Sequence, residues 1–445
     1  MSLAEDTSIP ESLVSVLGLD DSFRPVEPQT LAETGLSDVL VEMLVCKYLQ
    51  GVGTATGRTI ADSLCLPFGV LNPILQTLRS RQILQHNGSA MLNDFRYTLS
   101  DQGRNRARTY AESCDYAGPA PVPLVDYVVS VEAQTLRAEA PKRARLLKAF
   151  RDIVVENELV ENLGPAITAG KGIFLYGPPG NGKTTLAQHI TACFGQSIFV
   201  PHAIIEDGKI IKHFDAACHQ LVVESDDSVL KHSDIDRRWV RVKRPTVVVG
   251  GELTMDSLEL KHDPVSNVSE ASLQLKSNCG ILLIDDFGRQ RIEPAELLNR
   301  WIIPLENRVD YLTMSNGKKI QVPFEQLIIF STNLKPTDLA DDAFMRRIPY
   351  KIEVGDPSVP EFRRLFKAVA DARGLPFRDE VVDYLINTHY RPQGRALRRC
   401  HPRDLLEQIE NYCAYHDLPL ELRDDFIDRA VRCYFMTGFD EAATG

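Results

Sequence analysis

The sequence lacks apolar segments long enough to cross a membrane. Its longest apolar runs, such as 281–284 and 327–330, have the length of a strand, whereas a bilayer-spanning helix needs about 20 residues. Glu5 and Asp6 stand where a secretory signal would carry basic and then apolar residues. We therefore expect no membrane insertion and a cytoplasmic location.

Closely spaced cysteines and an excess of positive charge are also missing. The nine cysteines are scattered singly, without a CxxC pair, which indicates reduced thiols. The 50 basic and 61 acidic residues give a net charge of −11, which argues against a general coat for nucleic acid but leaves room for a local basic groove.

The chain is too long for one hydrophobic core, so several domains are expected. Alternating strand and helix patterns after about residue 147 predict a parallel α/β sheet, and the patterns beyond residue 353 are helical. The predicted segments are a flexible N-terminal tail (1–36), a small helical domain with a hairpin (37–112), a Pro-containing linker (113–146), an α/β nucleotide-binding domain (147–353) and a helical lid domain (354–445).

Residues 37–112 resemble a winged helix, the version of helix-turn-helix that ends in a two-stranded wing. The helix at Ile60–Leu64, the leucine-rich helix after it and the segment Tyr97–Arg104 carry this resemblance. Eight basic and six acidic residues leave a net charge of only +2. The resemblance therefore leaves two roles open, DNA binding through the third helix and docking of a protein.

A glycine-rich segment follows the predicted buried strand 173–176 and precedes a predicted helix. It matches GxxxxGK(S/T), whose backbone N–H groups surround phosphates at a helix N-terminus. In such a loop Lys183 reaches the β- and γ-phosphates and the Thr184 hydroxyl ligates Mg²⁺. The residues predicted to bind Mg-ATP are Gly177, Pro178, Pro179, Gly180, Asn181, Gly182, Lys183, Thr184 and Thr185.

Two further predicted strands end in polar residues. Asp285 and Asp286 follow the run 281–284, and Asn333 follows the strand that begins at 327. Because the carboxyl ends of parallel strands meet at one edge of a sheet, these side chains are expected beside the phosphate loop. Asp285 suits a magnesium ion held through water, Asp286 a general base, and Asn333 the orientation of the attacking water. A helix N-cap is the alternative for one aspartate, but not for both.

In this order the motifs resemble those of AAA+ ATPases, over residues 147–436. Residues 177–184 are similar to Walker A, 281–286 to Walker B and Asn333 to sensor 1, while Val154 and Val155 match the adenine-contacting segment weakly. The resemblance implies an α/β P-loop AAA+ core with a parallel sheet, a C-terminal helical lid and a small α+β winged-helix N-terminal domain. It also implies ATP hydrolysis.

Three arginines enter through the same resemblance. The segment 341–348 resembles the one that carries the arginine finger, which assigns Arg347 first and Arg346 second. Pro402-Arg403 resembles the start of the sensor 2 helix, where proline suits the first helical position. Since the family's finger comes from an adjacent protomer and stabilises charge on the γ-phosphate, a ring homo-oligomer is implied, with six subunits the commonest count.

One position departs from the family pattern. Asp286 stands where the family has glutamate, and its carboxylate is one methylene shorter. A slow, switch-like ATPase is therefore an alternative to a fast one.

A hairpin is predicted at 308–322, because Asn316-Gly317 is a strong hairpin turn. Its position resembles the pre-sensor 1 hairpin of MoxR-type, magnesium-chelatase-type and RuvB-type members. The segment 252–278 is a second candidate for a pore-facing insertion. Surface loops are the alternative for both segments.

A metal site at a group of histidines is disfavoured. The spacing of His202, His213, Cys218 and His219 fits no usual structural zinc pattern.

Three functions remain open at this level. The favoured one is an ATP-hydrolysing machine that remodels or assembles a protein client. The second is a DNA-directed motor or loader in which the winged helix holds DNA. The third is a slow ATP-dependent assembly switch.

Overall fold

The computed structural model describes residues 23–90, 94–139, 141–195, 197–222, 234–339 and 345–435. The chain forms two compact units. The first contains Met1–Glu139, Phe194–Leu282 and Asn299–Leu327, and the second contains Ala140–Cys193, Leu283–Leu298 and Ile328–Gly445. Most of the predicted N-terminal tail, residues 1–22, lies outside the described residues.

Helices and strands alternate along most of the described chain. The α-helices are α1 Asp38–Val52, α2 Gly57–Leu64, α3 Phe68–Ser80, α4 Asp101–Ser113, α5 Leu124–Ala133, α6 Arg143–Ala149, α7 Asn157–Ala169, α8 Lys183–Ala192, α9 Leu273–Lys276, α10 Pro294–Arg300, α11 Ile302–Asn307, α12 Val359–Ala372, α13 Asp379–Leu385, α14 His401–Tyr415 and α15 Asp424–Phe435. The strands are β1 Thr54–Thr56, β2 Leu84–Ala90, β3 Asp94–Leu99, β4 Val122–Pro123, β5 Ile173–Tyr176, β6 Ser197–Pro201, β7 Ala203–Glu206, β8 Lys209–Lys212, β9 Trp239–Lys243, β10 Thr246–Val249, β11 Lys261–Asp263, β12 Val268–Glu270, β13 Ile281–Ile284, β14 Val309–Thr313, β15 Lys319–Pro323, β16 Leu327–Thr332 and β17 Tyr350–Glu353.

The N-terminal part of the first unit contains α1 to α4 and an antiparallel sheet in the order β1-β3-β2. The side chains of Ser37, Thr56 and Ser100 accept backbone N–H groups in the first turns of α1, α2 and α4, which satisfies donors that have no partner within the helix. Five leucines of helices α1 and α3 are buried together in one apolar core: Leu40, Leu44, Leu71, Leu75 and Leu78. The predicted helices and hairpin are present, and the winged-helix assignment stays a prediction.

A second sheet in the first unit has the order β11-β12-β8-β7-β4. Strand β4 comes from the segment predicted as a linker and pairs in parallel with β7, with Val122 opposite Ile204. Helix α5 follows, and its Tyr127 is buried with the ring 4.9 Å from that of His213. Residues 122–133 therefore belong to the packed core of this unit rather than to an extended connector.

A five-stranded sheet has the order β10-β13-β16-β5-β17. Strand β5 pairs in parallel with both neighbours, and Ile173 lies opposite Ile329 on one side and Tyr350 on the other. Strands β13 and β16 are buried along their whole length, as parallel strands covered on both faces are. Thr332 lies opposite Tyr176, so the residues that follow β16 and β5 emerge side by side.

The end of the described chain is helical, as the sequence predicts. Helices α12 to α15 surround one apolar core, which contains Phe362, Phe366, Leu385, Leu405, Leu406, Ile409 and Ile427. A π-helical turn, Ile386–Tyr390, extends α13. Among the residues that the structure describes, none of the helices is both long and apolar enough to span a bilayer.

Candidate nucleotide-binding site

The glycine-rich loop connects β5 to α8, as the sequence predicts. Gly180 and Gly182 have φ angles of +81° and +77°, a conformation that side-chain-bearing residues rarely adopt. Gly182 is the N-cap of α8, and no side chain caps this helix end. The first N–H groups of α8 therefore remain available to an anion at the positive end of the helix.

Lys183 turns back over this loop. Its ammonium donates hydrogen bonds to the Gly177 carbonyl at 2.9 Å, to the Pro178 carbonyl at 3.0 Å and to Asn333 Oδ1 at 2.7 Å. The side chain is only 6% exposed, and burial lowers the pKa of Lys183, although the carboxylates of Asp286 and Asp285 oppose that shift. All three partners are neutral oxygens, which a phosphate can replace.

Thr184 and Asp285 bring two oxygen ligands together. The Thr184 hydroxyl donates to Asp285 Oδ2 at 2.8 Å, and Asp285 Oδ1 accepts the backbone N–H of Asp286 at 3.1 Å. Hydroxyl and carboxylate oxygens are the ligands that Mg²⁺ prefers. The structure thus places the two residues predicted to bind the metal next to each other.

Asp286 and Asn333 also lie together. Asn333 Nδ2 donates to Asp286 Oδ1 at 3.3 Å, so Asn333 joins Lys183 on one side to Asp286 on the other. Asp286 is exposed and has a left-handed backbone with φ +50°. This conformation is uncommon outside glycine and is observed at functional turns.

Two residues that the sequence did not single out hold the acidic turn in place. Gln290 donates to the Asp285 carbonyl and accepts from the Gly288 N–H, both at 2.8 Å. Phe287 is buried against Phe174 and Phe330. Its backbone N–H donates a hydrogen bond to the Ser331 carbonyl at 2.7 Å. A buried aromatic directly after two acids is the only sequence signal for this anchor.

A second set of contacts joins the phosphate loop to the segment before α14. Cys400 N–H donates to the Gly180 carbonyl at 2.9 Å. Asn181, which is 1% exposed, accepts from the Arg399 N–H at 3.2 Å and donates to Asp356 at 2.8 Å. Arg398 forms an ion pair with the same aspartate. No sequence motif marks these partners of Asn181.

The predicted arginines lie in different surroundings. Helix α14 begins at His401 with Pro402 in its first turn, as predicted, but the Arg403 side chain is bound to its neighbour Asp404. Arg398 lies beside the phosphate loop, since a Cβ added to Gly180 would be 3.9 Å from Arg398 Cβ. Arg398 could not be singled out from the sequence because it precedes the helix that carries the resemblance.

The two candidate finger residues lie just before β17. Arg346 is exposed and Arg347 is half-buried. The preceding part of the predicted finger segment, residues 341–344, lies outside the described residues. The assignment of either residue as a finger stays a prediction.

The segment with the weak resemblance to an adenine-contacting segment, Val154 and Val155, contacts Arg399 in the second unit. The Val154 carbonyl accepts a hydrogen bond from Arg399 Nη1 at 2.9 Å. Arg399 also pairs with Glu361, which is fully buried, and burial raises the pKa of that carboxyl. A contact of Val154 with a base stays a prediction.

The hairpin predicted at 308–322 is confirmed as β14 and β15, with Thr313 opposite Lys319. One face is buried through Leu312 and Ile320. At its turn, Lys318 pairs with Glu206 at 3.1 Å and with Asp207 at 2.6 Å. Nothing in these contacts tests a role in a pore.

The histidine group has protein partners. His213 Nε2 lies 3.1 Å from the Leu275 carbonyl, and His219 Nε2 lies 2.9 Å from the Lys276 carbonyl. The two rings stack with their centroids 5.5 Å apart. In the described part of the chain, no three histidine, cysteine or acidic side chains converge as metal ligands would.

Comparisons with known proteins give remote likenesses. Residues 358–433 match a family described only as a domain of unknown function, DUF8689. No curated protein matches the chain. Among solved structures it is similar to the Thermotoga maritima RuvB Holliday junction branch migration motor, with 16% identity, 63% of this chain and 70% of that chain covered, and a TM-score of 0.37. It is also similar to Brucella abortus NtrX in complex with ADP, with 16% identity, 63% and 56% covered, and a TM-score of 0.37.

The fold class follows from the chain's own strands. A parallel pair of strands delivers the glycine-rich loop and Asn333 to one edge of a five-stranded sheet. Two acids follow β13 of the same sheet, and Thr184 binds the first of them. The chain is an α/β protein with a P-loop core and a helical C-terminal segment.

Proposed function

We propose that the chain binds and hydrolyses ATP with Mg²⁺ and uses this cycle, as a ring homo-oligomer, to remodel or assemble a protein client. One observation carries the proposal. Hydrogen bonds join Lys183 to Asn333, Asn333 to Asp286, and Thr184 to Asp285. A purely structural loop has no need to gather an ammonium, a hydroxyl, an amide and two carboxylates at a helix N-terminus.

The hydrogen-bond partners of Lys183 support phosphate binding. Its ammonium is held by two backbone carbonyls and an amide oxygen, so a phosphate exchanges neutral acceptors for charged ones, which form stronger hydrogen bonds. The uncapped N–H groups of α8 supply further donors.

The pair Thr184 and Asp285 fits a magnesium ion. Their oxygens are 2.8 Å apart, near the roughly 3 Å between neighbouring ligands in an octahedron with bonds of about 2.1 Å. Bound there, Mg²⁺ neutralises charge on the β- and γ-phosphates. Thr184 would hold it through the hydroxyl, and Asp285 through its carboxylate or a water.

Asp286 and Asn333 are the candidates for activating water. Asp286 is exposed and can accept a proton, while the amide of Asn333 can orient the attacking oxygen. In this structure the amide is bound to Asp286 at 3.3 Å. Hydrolysis therefore needs the two side chains to separate enough to admit a water.

That contact favours slow turnover as a second candidate function. The Asp286 side chain is short, and the Asn333 amide is hydrogen-bonded to it. Both features reduce the fraction of protein molecules in which a water is positioned to attack the γ-phosphate. A switch that assembles with ATP and hydrolyses it rarely would use the same binding residues.

We further propose that a neighbouring protomer completes the site through Arg347 or Arg346. Transfer of a phosphoryl group spreads negative charge over its oxygens, and a guanidinium supplied there stabilises that charge. Arg346 is exposed at the surface of the second unit, as a residue offered to another subunit must be. Six subunits are the working count for the ring.

The client is proposed to be a protein because three of the eight basic residues of 37–112 already have protein partners. Lys47 is 7% exposed and donates to the Cys114 carbonyl at 2.8 Å. Arg81 and Arg106 both pair with Glu42, which is 3% exposed. These three side chains are committed to partners within the first unit, which reduces the charge available for a phosphate backbone.

The test compares wild type, Lys183→Ala and Arg347→Ala for ATP turnover and particle size, with and without DNA. Lys183→Ala is expected to lose nucleotide binding. Arg347→Ala is expected to bind ATP without hydrolysing it, and mixing it with an Asp285→Asn chain should restore part of the activity at composite sites. Full turnover by isolated Arg347→Ala monomers would exclude the shared site, and salt-sensitive DNA binding that stimulates turnover would favour the DNA-directed motor.

A further inference from the structure

The phosphate loop is in contact with the segment 398–400. A Cβ atom added to Gly180 would lie 2.6 Å from Cys400 Sγ and 3.9 Å from Arg398 Cβ. The Cys400 N–H donates to the Gly180 carbonyl at 2.9 Å. Because this hydrogen bond joins the two backbones, a displacement of one segment must displace the other.

Asp356 binds both segments with one carboxylate. It lies shortly after β17, where the Val354 N–H donates to the Tyr176 carbonyl at 2.8 Å. Its Oδ1 accepts from Asn181 Nδ2 at 2.8 Å and from the Arg398 guanidinium. Asn181 is 1% exposed, so this hydrogen bond is shielded from water. The aspartate therefore fixes the loop and the arginine in one arrangement.

Arg398 is also within electrostatic range of the place where phosphates would bind. Its Cβ would lie 3.9 Å from a Cβ added to Gly180 of the phosphate loop. An arginine at this distance is attracted to a γ-phosphate, since guanidinium and phosphate form strong, often paired hydrogen bonds. In this structure Arg398 forms an ion pair with the carboxylate of Asp356.

We propose that Asp356 is a positioning residue that sets the preference of this site for ATP over ADP, by competing with the γ-phosphate for Arg398. The inference rests on the proposed ATP site. ADP has no γ-phosphate and leaves the ion pair intact. ATP must separate Arg398 from Asp356. The free energy needed to break that ion pair weakens the binding of ATP.

The first test is Asp356→Asn, assayed by equilibrium binding of ADP and of a non-hydrolysable ATP analogue, both with Mg²⁺. The asparagine keeps an oxygen for Asn181 but loses the charge that holds Arg398. Since partly exposed ion pairs have modest strength, the analogue should bind about three- to fivefold more tightly while ADP affinity is unchanged. Glu353→Gln, which removes an exposed carboxylate at the end of β17, is the matched control and should not change the ratio.

The second test repeats Asp356→Asn in an Arg398→Ala background, where the ratio of the two affinities should no longer respond. Three results would overturn the inference: an unchanged ratio in Asp356→Asn, an equal gain or loss for both nucleotides, or a changed ratio that persists without Arg398. An equal loss would indicate that Asp356 only supports the loop. If wild type binds neither nucleotide, the proposed function fails first, and that outcome is distinct from the other three.

Discussion

Charged side chains are used in opposite ways in the two units. In the first unit the carboxylate of Glu42 is bound by Arg81, by Arg106 and by the Tyr110 hydroxyl, which lies at 2.9 Å. In the second unit the buried ammonium of Lys183 has neutral oxygens as its direct partners among the residues that the structure describes. Both groups are less than one-tenth exposed, so burial alone does not distinguish a functional charge from a structural one.

The kind of partner makes the distinction. Glu42 is held by groups that a ligand cannot replace without leaving buried charge unmatched, and such a loss destabilises the fold. The partners of Lys183 can be exchanged for a phosphate at little cost. Charge removal should therefore reduce stability in the first unit and ligand binding in the second.

The largest effect is expected for Lys183→Ala. Removal of the ammonium should weaken Mg-ATP binding by about 1,000-fold, near 4 kcal/mol, as truncation of a buried charged partner does. Stability should be retained, because burial already lowers the pKa of this lysine and disfavours its charged form. Calorimetric titration and thermal melting measure the two quantities, with exposed Lys171→Ala as the control. If the Lys183→Ala chain were unfolded, Lys183 would be needed for stability, and the proposed difference between the two units would be wrong.

Glu42→Gln should have the opposite profile. Loss of the buried carboxylate should lower the free energy of unfolding by about 3 kcal/mol, because two guanidinium groups lose their common partner. Denaturant titration measures this, and the exposed pair of Asp101 and Arg104 provides the control Asp101→Asn, expected to cost less than about 1 kcal/mol. ATP affinity of the folded protein should not change. If it fell while stability held, Glu42 would belong to a functional site.

His213 predicts acid sensitivity in the first unit. Burial, with the charges of His219 and Lys276, lowers its pKa from 6.5 to about 3. At pH 5 the unfolded chain binds a proton at this residue and the native chain does not, so stability is lost as pH falls below about 6.5.

The loss attributable to His213 should reach about 2 kcal/mol at pH 5. Denaturation curves of wild type and His213→Gln between pH 7 and pH 5 measure it as the difference in slope, since glutamine can still donate to the Leu275 carbonyl. Parallel curves for the two proteins would show that His213 is not buried as described.

The smallest effect concerns Asp286, where proteins with similar motifs have glutamate. Asp286→Glu lengthens the carboxylate by one methylene and should raise turnover about tenfold, equivalent to roughly 1.4 kcal/mol of activation free energy. ATP affinity should stay the same. A steady-state phosphate-release assay measures the rate, with Asp286→Asn as the inactive control. Slower turnover in the glutamate variant would mean that the turn at φ +50° is built for aspartate.

Much of the candidate site was predictable because its signals are local. The spacing of the glycines and Lys183 predicts the loop between β5 and α8, and Asn316-Gly317 predicts the hairpin of β14 and β15. Strand-end residues such as Asn333 could be placed because parallel strands share one carboxyl edge.

The contacts that sequence reasoning missed are made between distant segments. Asp356 meets Asn181 across 175 residues, and no periodic pattern records that approach. The sequence around Val122 and Pro123 predicts an extended connector. In the structure these residues pair with β7, which is far along the chain. Arg398 was passed over because the helix pattern begins three residues later.

The central claim is that the loop from Gly177 to Thr184 binds the phosphates of ATP with Mg²⁺. Equilibrium titration of the wild-type protein with ATP, in the presence of Mg²⁺ and again with a chelator, tests it directly. We expect saturable binding of one nucleotide per chain, with lower affinity when the metal is removed. Absence of binding at millimolar ATP to folded protein would contradict it.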